Sequence, residues 1–287
     1  MSQKIIRFFE RLYYQKDKLW LSIWLGGLLL VWGWDRMFLN HPAMQRVETG
    51  FLNSFIIAVL VLVFSLLLSW VTVNSLLLPG RWLSGLFVFL LNILRSIPQI
   101  VGILFGYVAI TVWLQGDVLR SSLSVLVLMA VIISLFVFQE IVDLMLERVE
   151  HFRKSDFYQA MLVRGVAESR IINYDILWMN SRIHIFNKLI AIFGTAVFLQ
   201  CSVDFIISVG LSTTLSSVNL PSTLGTLLAN IDSKQDILAI GNTLMNPSYI
   251  GKIFFEHLQG VTVAFLIVFS LLSIYKIANG FTERFKL

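Results

Sequence analysis

Six apolar runs of membrane-spanning length dominate the sequence: Leu19 to Trp34, Phe51 to Leu78, Trp82 to Leu114, Leu123 to Phe138, Ile183 to Val209 and Leu258 to Ala278. A hydrocarbon core about 30 Å thick takes roughly 20 helical residues per crossing, so each run is long enough to approach or complete one span. In lipid every backbone amide must be bonded within the chain, which leaves helices as the economical solution for such runs. The chain of 287 residues is 57% hydrophobic and 14% charged, against roughly a quarter charged for a soluble domain, and this composition excludes an ordinary soluble globule. The expectation is an all-α integral membrane protein of six spans forming one domain over residues 1–287. Residues 1–18 are expected to be a cytoplasmic N-terminus, residues 19–50 a first span with an external loop, and residues 51–287 a five-span core.

The opening stretch "MSQKIIRFFERLYYQKDKLW" begins like a signal peptide, but no small-residue cleavage site follows, so the first run is expected to be retained. Its Trp20, Trp24, Trp32 and Trp34 suit the two membrane interfaces. In the third run, Pro98 within "LRSIPQ" removes a backbone donor and predicts a kinked or re-entrant entry. Gly102 and Gly106 form a Gly-x-x-x-Gly spacing suited to close helix packing. Cys201 has no second cysteine, which excludes an intrachain disulfide and a cysteine metal cluster, and it is expected to be a small core residue.

Lysine and arginine set the orientation. With six spans, Lys4, Arg7, Arg11, Lys16, Lys18, Arg81, Arg148, Arg153, Lys154, Arg164, Arg170, Arg182, Lys276, Arg284 and Lys286 share one side. Only Arg36, Arg46, Arg120, Lys234 and Lys252 fall on the other. Both termini are therefore expected in the cytoplasm, and the segment from about Ser212 to Glu256 outside it, as a folded cap or a partner-contacting loop. The net charge of +5 is explained by this loop bias, and no nucleic-acid partner is expected.

Between the fourth and fifth runs lies "FYQAMLVRGVAESRIINYDILWMN", a stretch far more polar than its flanks. Ser155 is placed to cap a short helix, with Asp156 in its first turn. Phe157, Tyr158, Met161 and Leu162 recur at helical spacing as one apolar stripe. Gly165 suits the left-handed turn that ends such a helix, and a second short helix is expected from about Glu168 to Leu177. A hinged pair of this kind suits a groove on another protein, or alternatively lies on lipid headgroups.

This stretch resembles the coupling loop in the membrane subunits of binding-protein-dependent ABC importers. The family pattern is Glu-Ala-Ala, three residues, Gly, then an Ile-Leu-Pro-like end. Here Gln159-Ala160-Met161, Leu162-Val163-Arg164 and Gly165 are followed by Ile176-Leu177-Trp178, so Gln159, Met161 and Trp178 depart from the pattern. "LRSIPQIVGILFGYV", "GVAESRIINYDILWMN", "FLQCSVDFIISVGLS" and "LPSTLGTLLAN" are similar to segments of the oligopeptide, dipeptide and nickel branch, extending the resemblance over most of residues 50–287.

The resemblance implies a type I permease fold and an inner-membrane location. The partners it implies are two ATPase subunits, a second permease subunit, expected to be a paralogue, and an external solute-binding protein. It further implies that Phe157, Gln159, Ala160, Met161, Arg164, Gly165 and Arg170 couple this chain to an ATPase. ATP and magnesium would be held by those partner subunits, with no cofactor or metal in this chain. The absence of a Gly-x-x-x-x-Gly-Lys-[Ser/Thr] loop from the sequence agrees, and the chain is expected to be non-catalytic.

Polar residues at membrane depth are the candidates for a solute pathway. Asp204 suits either a substrate's ammonium group or an interior structural donor. Gln200 either lines the path or bonds between helices, and Arg95 either faces the path or satisfies carbonyls freed near Pro98. The resemblance implies half of a pathway for peptides or a peptide-like compound; the competing expectations are a permease of the same family for nickel or another solute, or an ATP-independent secondary transporter or channel, which calls for broken helices in two inverted repeats.

Overall fold

The computed structural model describes residues 14–77, 81–116, 121–210, 220–229, 231–255 and 258–285. Lys4, Arg7, Arg11, Arg120, Ser212, Glu256 and Lys286, which entered the charge and loop expectations, lie outside these residues, as do the side chains of Arg81 and Lys234. Among the described residues the chain is helical throughout, with no strand.

Helices α1 (Lys16–Phe38) and α2 (His41–Leu77) are followed by α3 (Arg81–Ser96), α4 (Gln99–Gln115), α5 (Ser122–Val137) and α6 (Gln139–Arg153). The polar stretch comprises α7 (Asp156–Val163), the single turn α8 (Glu168–Arg170) and a π-helix over Ile171–Asn180. Next come α9 (Arg182–Gly210), α10 (Leu224–Ala229), α11 (Ile231–Met245), a 3₁₀ turn (Pro247–Tyr249), α12 (Ile250–Phe255) and α13 (Leu258–Phe285).

Three helices are individually long and apolar enough to cross a membrane, within α2, α9 and α13, and the number rises to five if each of two bent pairs is one span. The first bent pair is α3 and α4, which meet at 97° across Ile97 and Pro98, as the proline predicts. The second is α5 and α6, bent by 44° at Phe138. The six expected spans exceed this range because α1 is less apolar: it carries four tryptophans and ends in Asp35 and Arg36. Its 23 residues still extend about 35 Å, and it runs antiparallel along α13.

That α1–α13 pairing shows how sequence positions become packing. Trp24 Nε1 donates to Ser270 Oγ at 3.1 Å, and Thr262 Oγ1 donates to Asp35 Oδ1 at 2.8 Å. At the other end Arg284 pairs with Asp17 at 2.9 Å and Lys16 with Glu283 at 2.6 Å. Gly27 lets the Phe269 ring lie against α1, since a Cβ there would fall 2.4 Å from it.

The expected external loop from Asp35 to Gly50 is not a loop. α1 continues to Phe38 and α2 begins at His41, leaving a two-residue connection. Asn40 Oδ1 accepts the Ala43 amide at 3.0 Å and Pro42 lies in the first turn, so "NHPA" is a helix start hidden inside polar sequence.

Gly102 and Gly106 seat α4 against α5. A Cβ at either position would meet Phe136 or Ile132 within 2.4 Å, so their role is helix packing, as expected. At the α5–α6 bend Gln99 Nε2 donates to the Phe136 carbonyl at 3.2 Å, and the Phe138 carbonyl accepts the Ile141 and Val142 amides at 3.0 and 3.1 Å. Paired amides of Asn74 and Asn173, 2.7 and 3.0 Å apart, tie the end of α2 to the π-helix. Leu177 and Phe281 line one recess, so the polar stretch and the end of α13 occupy the same end of the bundle as Lys16.

Candidate functional site

Two places gather the residues singled out in the sequence. The first is the knob made by α7 and the turns that follow it. Ser155 has extended backbone at the N-cap position, but its hydroxyl donates to the Phe152 carbonyl at 2.6 Å and makes no cap bond. Asp156 remains in the first turn, where its charge complements the helix dipole. At the far end Gly165 has φ +77°, the one positive-φ glycine among the described residues. The Gly165 amide donates to Leu162 at 2.9 Å and the Val166 amide to Met161 at 3.2 Å, which is a complete Schellman ending.

The expected stripe of Phe157, Tyr158, Met161 and Leu162 divides in the folded chain. Tyr158 is buried and Met161 packs partly against the core, whereas Phe157 and Leu162 are exposed. The reason is that a short helix standing on the bundle end can seat only a narrow face, and Tyr158 is the residue with a polar partner beneath it. Its hydroxyl donates to Glu168 Oε1 at 2.7 Å, and Arg153 Nη2 meets the same oxygen at 2.7 Å. Burial pushes the Tyr158 phenol above its ordinary pKa, and its bond to the Glu168 carboxylate adds to the shift against the smaller opposing effect of Arg153.

The outward surface of the knob therefore comprises Phe157, Gln159, Ala160, Leu162, Val163, Arg164 and Gly165. Val163 is 89% exposed, beside Arg164. Arg170 is exposed on the following turn, and neither Arg164 nor Arg170 forms an ion pair among the described residues. The second short helix expected over Glu168–Leu177 is mostly π-helical and continues to Asn180, whose side chain bonds back to the Asp175 carbonyl at 2.6 Å. π-Helical geometry is rare and concentrated at functional positions.

The second place lies at the opposite end, beneath α10. Asp204 is 1% exposed and its Oδ2 accepts the Thr223 hydroxyl at 2.6 Å. Gln200, one turn earlier on α9, is fully buried and donates through Nε2 to Ser54 Oγ at 3.3 Å. Ser54 Oγ also accepts the Leu224 amide at 3.0 Å, and Asn53 donates to the Ser222 carbonyl at 2.7 Å. The start of α10 is thus bonded to both α2 and α9.

Glycines make that approach possible. A Cβ on Gly225 would lie 2.7 Å from Asp204 Cβ and 2.8 Å from the Cys201 backbone, and one on Gly50 would lie 2.5 Å from Leu227. Cys201 is buried beneath this contact, as a core residue. Tyr107 of α4 is fully buried. Tyr107 Oη, Gln200 Oε1 and Asp204 Oδ1 have no hydrogen-bond partner among the described residues. The described part of the expected external segment is therefore not only a surface cap, since 220–229 reaches inward to the polar residues of α9.

Arg95 does not join this cluster. It is exposed at the end of α3 and pairs with Asp143 of α6, bracing the 97° turn. The sequence singles out Gln200 and Asp204 as separate polar residues at membrane depth and the fold sets them one turn apart on α9, whereas Ser54, Tyr107 and Thr223 are not singled out. A serine or tyrosine within an apolar run carries no mark of what faces it. Among the described residues no group of three or more histidine, cysteine, aspartate or glutamate side chains is arranged to hold a metal.

Fold and sites together define an all-helical, multi-pass membrane protein. No family model matches the chain, and no curated protein matches it significantly.

Proposed function

We propose that this chain is the membrane subunit of an ATP-driven importer of the binding-protein-dependent ABC class, forming half of a pathway for a peptide or peptide-like solute. The observation that carries the reading is the exposed face of α7. A short helix bearing Phe157, Ala160, Leu162 and Val163 outward is fixed from behind by Tyr158, Glu168 and Arg153, and ended by Gly165. Apolar side chains rigidly presented on a short helix suit a cleft in another protein better than they suit water.

In this reading α1 is the sixth span, both termini and the knob are cytoplasmic, and the chain sits in the inner membrane. The bundle end that holds the knob also holds Lys16, Lys18, Arg148, Arg153, Lys154, Arg164, Arg170, Arg182, Lys276 and Arg284, which supports the orientation. Two ATPase subunits hold ATP and magnesium. A paralogous permease completes the pathway, and an external binding protein delivers the solute. ATP binding closes the ATPases, carries the knobs with them and tilts the helices toward the outward-open state. The segment at 220–229 acts as the outer closure, and release of Thr223 from Asp204 opens the carboxylate to an incoming ammonium group. This chain performs no covalent step.

The test is ATP hydrolysis by the assembled complex after Val163→Asp or Ala160→Asp. Both positions are exposed, so the substitutions leave the bundle intact. The reading predicts at least about tenfold lower turnover, the size of an interface hot spot. Unchanged turnover with either variant contradicts it.

A secondary transporter is the second reading, favoured by the two bent helix pairs and by buried Asp204. At the α5–α6 bend the Phe136 carbonyl is taken by Gln99 and the Phe138 carbonyl by the Ile141 and Val142 amides, so neither is free to hold an ion, and this reading ranks below the first.

A further inference from the structure

Two apolar recesses open side by side at the knob end of the bundle. One, of about 510 Å³, is lined by Leu21, Trp24, Phe55, Phe193 and Ile274, with Lys18 at its edge. The other, of about 400 Å³, is lined by Leu66, Trp70, Leu177, Trp178 and Ile185, with Arg182 at its edge. Phe186, Leu189 and Phe281 line both, and the rings of Phe186 and Phe281, 5.4 Å apart, form the wall between them.

The charges around these openings are unequally committed. Lys16 is paired with Glu283, and Asp17, which borders the larger recess, is neutralised by Arg284. Lys18 and Arg182 are exposed and form no ion pair among the described residues. Lys276 lies 5.9 Å from the Trp20 ring, and Trp178 is exposed beside the second recess, which places the cations in an aromatic belt of the kind found at headgroup depth. Two apolar slots below a basic rim match a molecule with two apolar chains and an anionic head.

We propose that this groove is a binding site for one acidic phospholipid. Its chains divide around the Phe186–Phe281 wall and its phosphate is drawn to Lys18 and Arg182. The site joins α1, α9 and α13, so a bound lipid bridges the N-terminal helix to the bundle. Under the importer reading this is the cytoplasmic leaflet, where anionic lipids concentrate, but lipid binding itself does not depend on that reading.

The test is native mass spectrometry of the full chain in mild detergent with added phosphatidylglycerol or phosphatidylcholine. One phosphatidylglycerol is expected to be retained in preference to phosphatidylcholine. Lys18→Gln or Arg182→Gln should each weaken retention about fivefold, and the two together about thirtyfold, while Lys252→Gln at the opposite end changes nothing. Equal retention of both lipids, or parental retention by the double variant, overturns the proposal. So does displacement of the lipid by inorganic phosphate alone, which would make the site a simple anion site, or a lipid-free dimer, which would make the groove a contact between copies. Failure of ATPase coupling leaves these outcomes untouched, so the two readings are separable.

Discussion

Tyr158 donates its hydroxyl to Glu168 Oε1 at 2.7 Å, and Arg153 closes on the same oxygen, so one carboxylate oxygen fixes α7 to the end of α6. Tyr158→Phe removes that bond without changing shape. A hydrogen bond to a charged group contributes about 1.5–3 kcal/mol, so faster hydrogen exchange in α7 is expected with little change in the bundle. Exchange in α7 equal to the parent's contradicts the latch.

The raised Tyr158 pKa has a pH consequence with a definite sign. The fold favours the neutral phenol, so the contribution is complete below the ordinary tyrosine range near 10 and is lost as pH rises through the elevated value. Ultraviolet titration of Tyr158→Phe against the parent should show the missing phenol ionising later than an exposed tyrosine. An ordinary midpoint would contradict the burial.

Gly165→Ala tests the helix ending. The residue sits at φ +77° with open space around its Cα, so the cost is purely one of backbone, about 1 kcal/mol. Gly165→Asn should restore part of it, read as recovery of α7 exchange protection.

At the opposite end, Gly225→Ala drives a methyl to within 2.8 Å of the α9 backbone, which cannot yield as a side chain can. Overpacking of this kind costs about 1–3 kcal/mol and should lower the melting temperature. Gly241→Ala, with nothing within 4 Å and a helical backbone, should instead gain about 0.5–1 kcal/mol. Equal effects of the two would contradict the close contact of α10.

How much of this was legible in the sequence depended on range. Pro98 and Gly165 act on their own backbone, so the bend and the left-handed helix ending are both legible in the sequence. The Gly102–Gly106 spacing is equally local. What escaped were partners supplied from elsewhere: Thr223 for Asp204, Asp143 for Arg95, and Glu168 for Tyr158. The division of the α7 stripe escaped for the same reason, because spacing gives one face and only the bundle beneath decides which part is buried. The short connection at Leu39–Asn40 was missed because the polar run from Asp35 to Gly50 looks like a loop, although Asn40 and Pro42 carried the helix-start signal. Nothing in "IINYDILWMN" distinguishes a π-helix from an α-helix.

The most direct measurement of the central claim is a mild-detergent pull-down of this chain from its native membrane, with every retained protein identified and ATP hydrolysis assayed in the eluate. The importer reading predicts a second permease subunit, two ATPases and vanadate-sensitive turnover, the turnover falling at least about tenfold with Val163→Asp. Recovery of the chain without any ATPase, even after crosslinking through a cysteine placed at Val163, would contradict it.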